Sequence, residues 1–176
     1  MKKHGFTLIE LIVVIAIIGV LAAILVPAMM GYVKRSKITT ANTTAKSLMN
    51  GANVAMVEME AYDFPPQKLQ GVLTAKGADV VAQKNFSYER GNDYNAAQLK
   101  CILFAKIYQY FSDVTFVGDF SLYLKEYACI GAGVMNGSYP GSYPQKIDPK
   151  DYDAGGSWTA PKALEFALSD IDGLTF

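Results

Sequence analysis

The chain has 176 residues with 16 basic and 16 acidic side chains, and this balance gives no bulk electrostatic case for nucleic acid. Hydrophobic residues make up 51% of it, and the longest uncharged apolar run lies near the N-terminus. The length suggests one globular domain beyond that run.

The chain opens with Lys2-Lys3-His4-Gly5, then Phe6-Thr-Leu-Ile-Glu10, then an uncharged apolar stretch from Leu11 to Met30. About 20 residues at ~1.5 Å rise each is the length a helix needs to cross a hydrocarbon core. A secretory signal has a shorter apolar region, about 7–15 residues, and ends in a small-residue cleavage site. Here Ala22-Ala23 is embedded within the run. A plain membrane anchor is the other reading, but it gives no reason for a carboxylate, Glu10, at the start of the span. An ionisable group there is costly and needs a partner. Gly19 and Ala23 form a small-xxx-small pair that allows close helix approach. Pro27 lacks an amide hydrogen and weakens the helix upstream of it. Lys2 and Lys3 precede the span and Lys34, Arg35 and Lys37 follow it, so charge counting leaves orientation open.

The basic leader, the Gly5-Phe6 junction, Glu10, the apolar run and Pro27 resemble the N-terminus of type IV prepilins and their pseudopilin relatives. The likeness covers residues 1 to about 35. It implies cleavage after Gly5 by a prepilin peptidase and N-methylation of Phe6. It implies that Glu10 assists assembly by neutralising the amino terminus of a neighbouring subunit; the chain's own Phe6 amine lies one helical turn away. It further implies loosening of the helix between Gly19 and Pro27 in a filament. The expected partners are copies of the chain, other pilins, the peptidase and a membrane assembly platform. The leader would stay cytoplasmic while the bulk is exported from the inner membrane to a surface or periplasmic filament. Losing Lys2 and Lys3 leaves 14 basic against 16 acidic residues, a balance of −2. His4, the only histidine, would go with the leader. A mature chain without imidazole argues against most familiar catalytic and metal-binding arrangements, so no enzyme, cofactor or metal site is expected.

Beyond the span, Ile38, Ala41, Ala45, Leu48, Ala52, Ala55 and Met59 recur at steps of three and four, one face of a helix. The spacing predicts one nearly continuous helix from Phe6 to Met59, stopped by Asp63-Phe64-Pro65-Pro66. The expected divisions are a leader (1–5), a filament-core half (6–30), an amphipathic half (31–60) and an exported domain (61–176). Within the domain, Leu73–Gln83 is ambiguous between strand and helix. Asn95 predicts a cap for a helix to Phe111, with Leu99, Ile102, Leu103, Ile107 and Phe111 inward. Val114–Val117, Gly118-Asp119 and Phe120–Leu124 predict a hairpin, in preference to a helix from Phe120 to Cys129. Ala160–Leu168 predicts a short final helix with Pro161 in its first turn.

Cys101 and Cys129 are the only cysteines, and in an exported domain they suggest one disulfide. Closing a loop of about 29 residues would contribute on the order of 3 kcal/mol. The alternative is two free thiols in reducing surroundings. Gly131-Ala-Gly133-Val-Met-Asn-Gly137 imitates a dinucleotide loop, but the prolines that follow forbid the helix such a loop must open. It is expected as a glycine-rich loop. Gly-Ser-Tyr-Pro then occurs twice, at 137–140 and 141–144, and is expected as a surface loop. Tyr139 and Tyr143 are the rings it would offer to a ligand. Asp148, Asp151 and Asp153 invite a calcium reading, yet an EF-hand begun at Asp151 would need glutamate where Lys162 stands, so a solvated acidic turn is favoured. Asn42, Asn85 and Asn136 begin glycosylation sequons, too short a pattern to weigh much.

The combined expectation is an α+β, pilin-like chain. A long membrane-spanning helix packs on a small mixed domain with an antiparallel sheet, and the chain serves as a filament subunit. The rivals are a pseudopilin of a type II secretion-like system and a monomeric, membrane-anchored binding domain.

Overall fold

The computed structural model describes residues 7–90, 92–154 and 156–171. The leader and its cleavage junction, including Gly5 and Phe6, lie outside the described residues. Two compact units divide the chain, one up to Ser36 and one from Lys37 onward.

Helix α1 runs from Leu8 to Ala61, 54 residues. None of its residues before Lys37 is buried. From Ile38 the helix acquires an inner face, and all seven residues of the expected stripe, Ile38 through Met59, are buried. Ala41, Ala45, Gly51, Ala52 and Ala55 keep that stripe narrow, while Leu48, Met56 and Met59 fill the space it leaves. The helix ends as the sequence implies. Asp63 takes a left-handed φ of 63°, and the Phe64 amide donates back to the Met59 carbonyl at 2.9 Å, which satisfies a terminal acceptor. Phe64 is buried, and Pro66–Leu69 forms a 3-10 turn.

The ambiguous Leu73–Gln83 stretch is both things in succession: strand β1 (Gly71–Lys76), then helix α2 (Gly77–Ala82). Helix α3 (Ala96–Tyr110) starts where expected, closed by a reciprocal capping box. The Gln98 amide donates to the Asn95 side chain at 3.0 Å, and the Asn95 amide donates to the Gln98 side chain at 3.1 Å. Leu99, Ile102, Leu103 and Ile107 are buried, and Phe111 packs half-buried against the same core.

The expected hairpin is only half right. Its second arm is strand β2 (Asp119–Lys125), but Ser112–Phe116 is a 3-10 turn. The glycine of the supposed turn is engaged elsewhere: the Gly118 amide donates to Met135 and its carbonyl accepts from Gly77. The hairpin partner of β2 is instead strand β3 (Ala128–Asn136), which corrects the glycine-rich loop, and β1 pairs with its other edge. Strand β4 (Tyr139–Tyr143) follows after a tight turn with Gly137 at φ 61°. The sheet is a four-stranded antiparallel meander, β1-β2-β3-β4.

The glycines of β3 and β4 have a packing reason. A Cβ on Gly133 would sit 2.3 Å from the Leu164 amide nitrogen, and one on Gly141 would sit 2.1 Å from the Ala41 carbonyl carbon. Helix α5 (Ala160–Leu168), capped by Thr159, thus lies directly on β3, and α1 crosses β4 at backbone contact. On β3, Ala132 and Val134 join the core shared with α1 and α3. Alternation then places Gly131 and Gly133 toward α5, so the sheet is covered on both faces. Helix α4 (Pro149–Ala154) completes the domain.

The Gly-Ser-Tyr-Pro repeat is therefore corrected from a displayed loop to an edge strand of the core. Pro140 is tolerated because β4 is an edge. The Tyr139 ring stacks on Tyr152 at 5.8 Å, and Tyr143 packs against the main core, so neither is offered to a ligand.

Candidate functional site

Of the residues singled out by the sequence, Glu10 lies in the first turn of α1. Thr7 precedes the first helical residue, and its amide and hydroxyl both donate to Glu10 Oε2, at 2.8 and 2.6 Å. The Glu10 amide donates back to the Thr7 hydroxyl at 3.4 Å. This is a capping box: the hydroxyl takes the amide three residues on, while the carboxylate holds the amide that opens the helix. The Thr7-Leu-Ile-Glu10 pattern announces it, a signal that reading Glu10 only as a charge in need of a partner does not use. Both Thr7 bonds fall on Oε2, and Oε1 accepts none among the described residues. Glu10 rims a shallow depression of about 340 Å³ whose other walls are Ile9, Val13 and Val14. The site thus offers a helix start fixed by its own side chains and one carboxylate oxygen without a partner among the described residues, beside an apolar surface.

Helix is assigned through both Gly19 and Pro27. Pro27 cannot donate to the carbonyl four residues back, that of Ala23, so the ladder lacks one bond there. A Cβ at Gly19 would meet nothing within 4 Å, so that position is open to whatever approaches the helix.

The remaining candidates do not converge on this site. Cys101 and Cys129 are free thiols, which corrects the expected bridge. Cys129 is buried within β3, and its sulfur donates to the Gly131 carbonyl at 3.3 Å. Its backbone is clamped by Asn53 of α1, which accepts from the Cys129 amide at 2.8 Å and donates to its carbonyl at 3.0 Å. Burial pushes the thiol up to about 12. Asp148 and Asp151 serve the turn into α4: the Asp148 amide donates to Asp151 Oδ2 at 2.8 Å, and Lys150 donates to Asp148 Oδ1 at 3.0 Å. Among the described residues no three of His, Cys, Asp or Glu come together as a metal set. Of the sequon asparagines, Asn42 is buried and bonded to β4 and its outgoing loop, Asn136 donates to Thr44, and Asn85 is exposed.

Comparison with known proteins points to the same end of the chain. Residues 1–26 match the prokaryotic N-terminal methylation motif. The chain is 36% identical over 93 residues to the type IV major pilin protein PilA of Myxococcus xanthus, covering 53% of this chain and 36% of that protein. It is 46% identical over 56 residues to a fimbrial protein of Pseudomonas aeruginosa, covering 32% and 36%. It is 33% identical over 72 residues to the type II secretion system core protein G of Pseudomonas aeruginosa, covering 41% and 51%. The chain therefore spans only about a third to a half of the length of these relatives. No solved structure matches it. The chain thus carries a prepilin-type N-terminal methylation motif on a long apolar helix, and its curated relatives are type IV pilins and type II secretion core protein G.

Proposed function

We propose that the chain is a structural subunit of a type IV pilus or pilus-like filament, made in a membrane and polymerised through α1. The observation that carries the reading is the conjunction at residues 1–26. A methylation motif runs without a gap into a helix whose apolar side chains are all exposed from Leu8 to Val33. Peptidase cleavage between Gly5 and Phe6 would place a positive, methylated amine beside the open oxygen of Glu10, or bring it to the Glu10 of a neighbour. In the filament, the bond missing at Ala23 would make the segment from Gly19 to Pro27 the place where α1 loosens. The role is structural rather than catalytic, and the inner membrane is the expected site before assembly. The partners would be other copies, the prepilin peptidase and an assembly platform.

A second reading, a pseudopilin of a secretion machine, is favoured by the match to core protein G, which covers about half of that protein. The test is the fate of tagged full-length chain in a host with the peptidase. Long surface fibres containing this subunit support the pilus, and fibres confined to the cell envelope support the pseudopilin. A subunit that stays monomeric in the membrane refutes both.

A further inference from the structure

The 3-10 turn Ser112–Phe116 carries the most exposed large apolar side chain among the described residues, Phe116, at 83%. Such a turn eclipses residues three apart, so burying Val114 and Val117 on its inner side drives Asp113 and Phe116 outward together. Both border a groove against α1 whose other apolar walls are Phe111 and Val117. A lone exposed ring needs no explanation. Here the ring and a neighbouring carboxylate form one knob, on the α1 side of the sheet.

The α5 side of the sheet carries a counterpart. Trp158, Lys162, Glu165, Phe166 and Ser169 line a hollow of about 270 Å³ along the outer face of α5. The Trp158 and Phe166 rings meet edge-on at 6.0 Å between centroids. The Lys162 Nζ lies 5.1 Å from the centroid of the Trp158 ring and donates to the Ser157 carbonyl at 3.3 Å. The hollow thus has an aromatic wall with a cation at that end, and Glu165 one helical turn further on. A ring with a carboxylate beside it fits this surface in one orientation, with the carboxylate toward Lys162 and away from Glu165.

We propose that Phe116 of one copy seats in the Trp158–Phe166 hollow of the next copy, with Asp113 facing Lys162. The inference rests on the filament reading above and names a contact between the domains of successive subunits. Knob and hollow are different surfaces on opposite sides of one sheet, so the contact is heterologous. It leaves each new copy with a free knob or a free hollow, and such a contact builds an open helical array. The buried aromatic ring is its anchor, and the charge pair fixes its register.

The test is pelletable filament against membrane-retained monomer, for the full-length chain in a host with the peptidase. Phe116→Ser, Asp113→Lys and Lys162→Glu change exposed side chains, so each domain should fold. Each should lower the pelletable fraction by at least about fivefold, because an unfilled hollow or a pair of like charges opposes docking. The double variant Asp113→Lys with Lys162→Glu restores opposite charges and should recover most of the wild-type fraction. Wild-type filament from Phe116→Ser, or a double variant no better than the single reversals, overturns this contact while the polymerising wild-type chain keeps the filament reading. A wild-type chain that forms no filament overturns that reading and the contact with it.

Discussion

Asn42 gives the sharpest test of how α1 holds its domain. It sits on the buried face of the helix with three bonds: Nδ2 donates to the Ile147 carbonyl at 2.8 Å, and Oδ1 accepts from the Ser142 amide at 2.9 Å and the Ile147 amide at 3.3 Å. One side chain therefore satisfies two amides and one carbonyl at the end of β4. Asn42→Ala strands all three where water has little access. Each stranded group costs about 1–3 kcal/mol, so even with sub-additivity the loss should be about 3 kcal/mol. For a domain of this size that is roughly a 10 °C fall in Tm. The assay is thermal unfolding of the full chain in micelles by circular dichroism. Asn42→Asp retains the two acceptor contacts but sets a carboxylate against the Ile147 carbonyl, so it should lie between wild type and alanine or below both. Thr43→Ala, on the exposed face next door, should change Tm by less than about 2 °C. An Asn42→Ala protein within that same margin would refute the clamp.

Other expectations follow from single sites. Glu10→Gln keeps a capping acceptor for Thr7 but removes the charge, whereas Glu10→Val removes both. If charge pairing drives assembly, both should insert normally and yield little pelletable filament; wild-type filament from Glu10→Gln would assign the residue to capping alone. Mass analysis of membrane-extracted protein from a host with the peptidase should find a chain beginning at methylated Phe6, and one beginning at Met1 would refute processing. Denatured protein should label two thiols with or without reduction, and a gain of two on reduction would restore the Cys101–Cys129 bridge. Cys129 has a folded value of about 12 against a reference of 9.0, so its contribution is complete below pH 9 and is lost as pH rises from there toward 12. Alkylation of the native protein at pH 8 should therefore modify Cys101 and spare Cys129. Gly141→Ala should abolish folding of the domain, since its Cβ would overlap the backbone of α1.

How legible each element was depended on whether its cause is local. The buried stripe of α1 and the Asn95 cap are local patterns, and both stand in the structure as the sequence implies. The Leu73–Gln83 stretch is ambiguous because it holds most of a strand and then a helix with no loop between them. Strands β3 and β4 were hidden because their composition answers to distant neighbours. Gly133 is small for α5 and Gly141 is small for α1, and neither helix can be placed from the strand itself. Val114–Val117 is rich enough in β-branched residues to suggest a strand, yet Val117 donates back to Val114 and the backbone of Gly118 is already committed to Gly77 and Met135. At the candidate site the position of Glu10 was legible. Its bond to Thr7 is less legible, because the same carboxylate can serve a charge partner or a cap and the sequence pattern fits both.

The two parts of α1 answer to different solvents, and that contrast constrains function more than any pocket does. From Ile38 to Met59 one apolar face is buried against the rest of the domain, so this part is stable in water as its spine. From Leu8 to Val33 the large apolar side chains are mostly about half exposed or more. Apolar surface left in water forgoes about 25 cal/mol per Å², and many such side chains on one helix make an isolated, water-exposed state untenable. Something must cover them, and only lipid or other apolar helices offer cover along the whole circumference. Under the proposed function, Glu10 would favour the second. A lone carboxylate is a burden on lipid contact at every stage, but it is an advantage wherever an amine must be met. A helix meant only as an anchor gains from Glu10 no more than its capping box, whereas under the proposed function a helix that leaves lipid to pack among copies of itself would also gain a docking point.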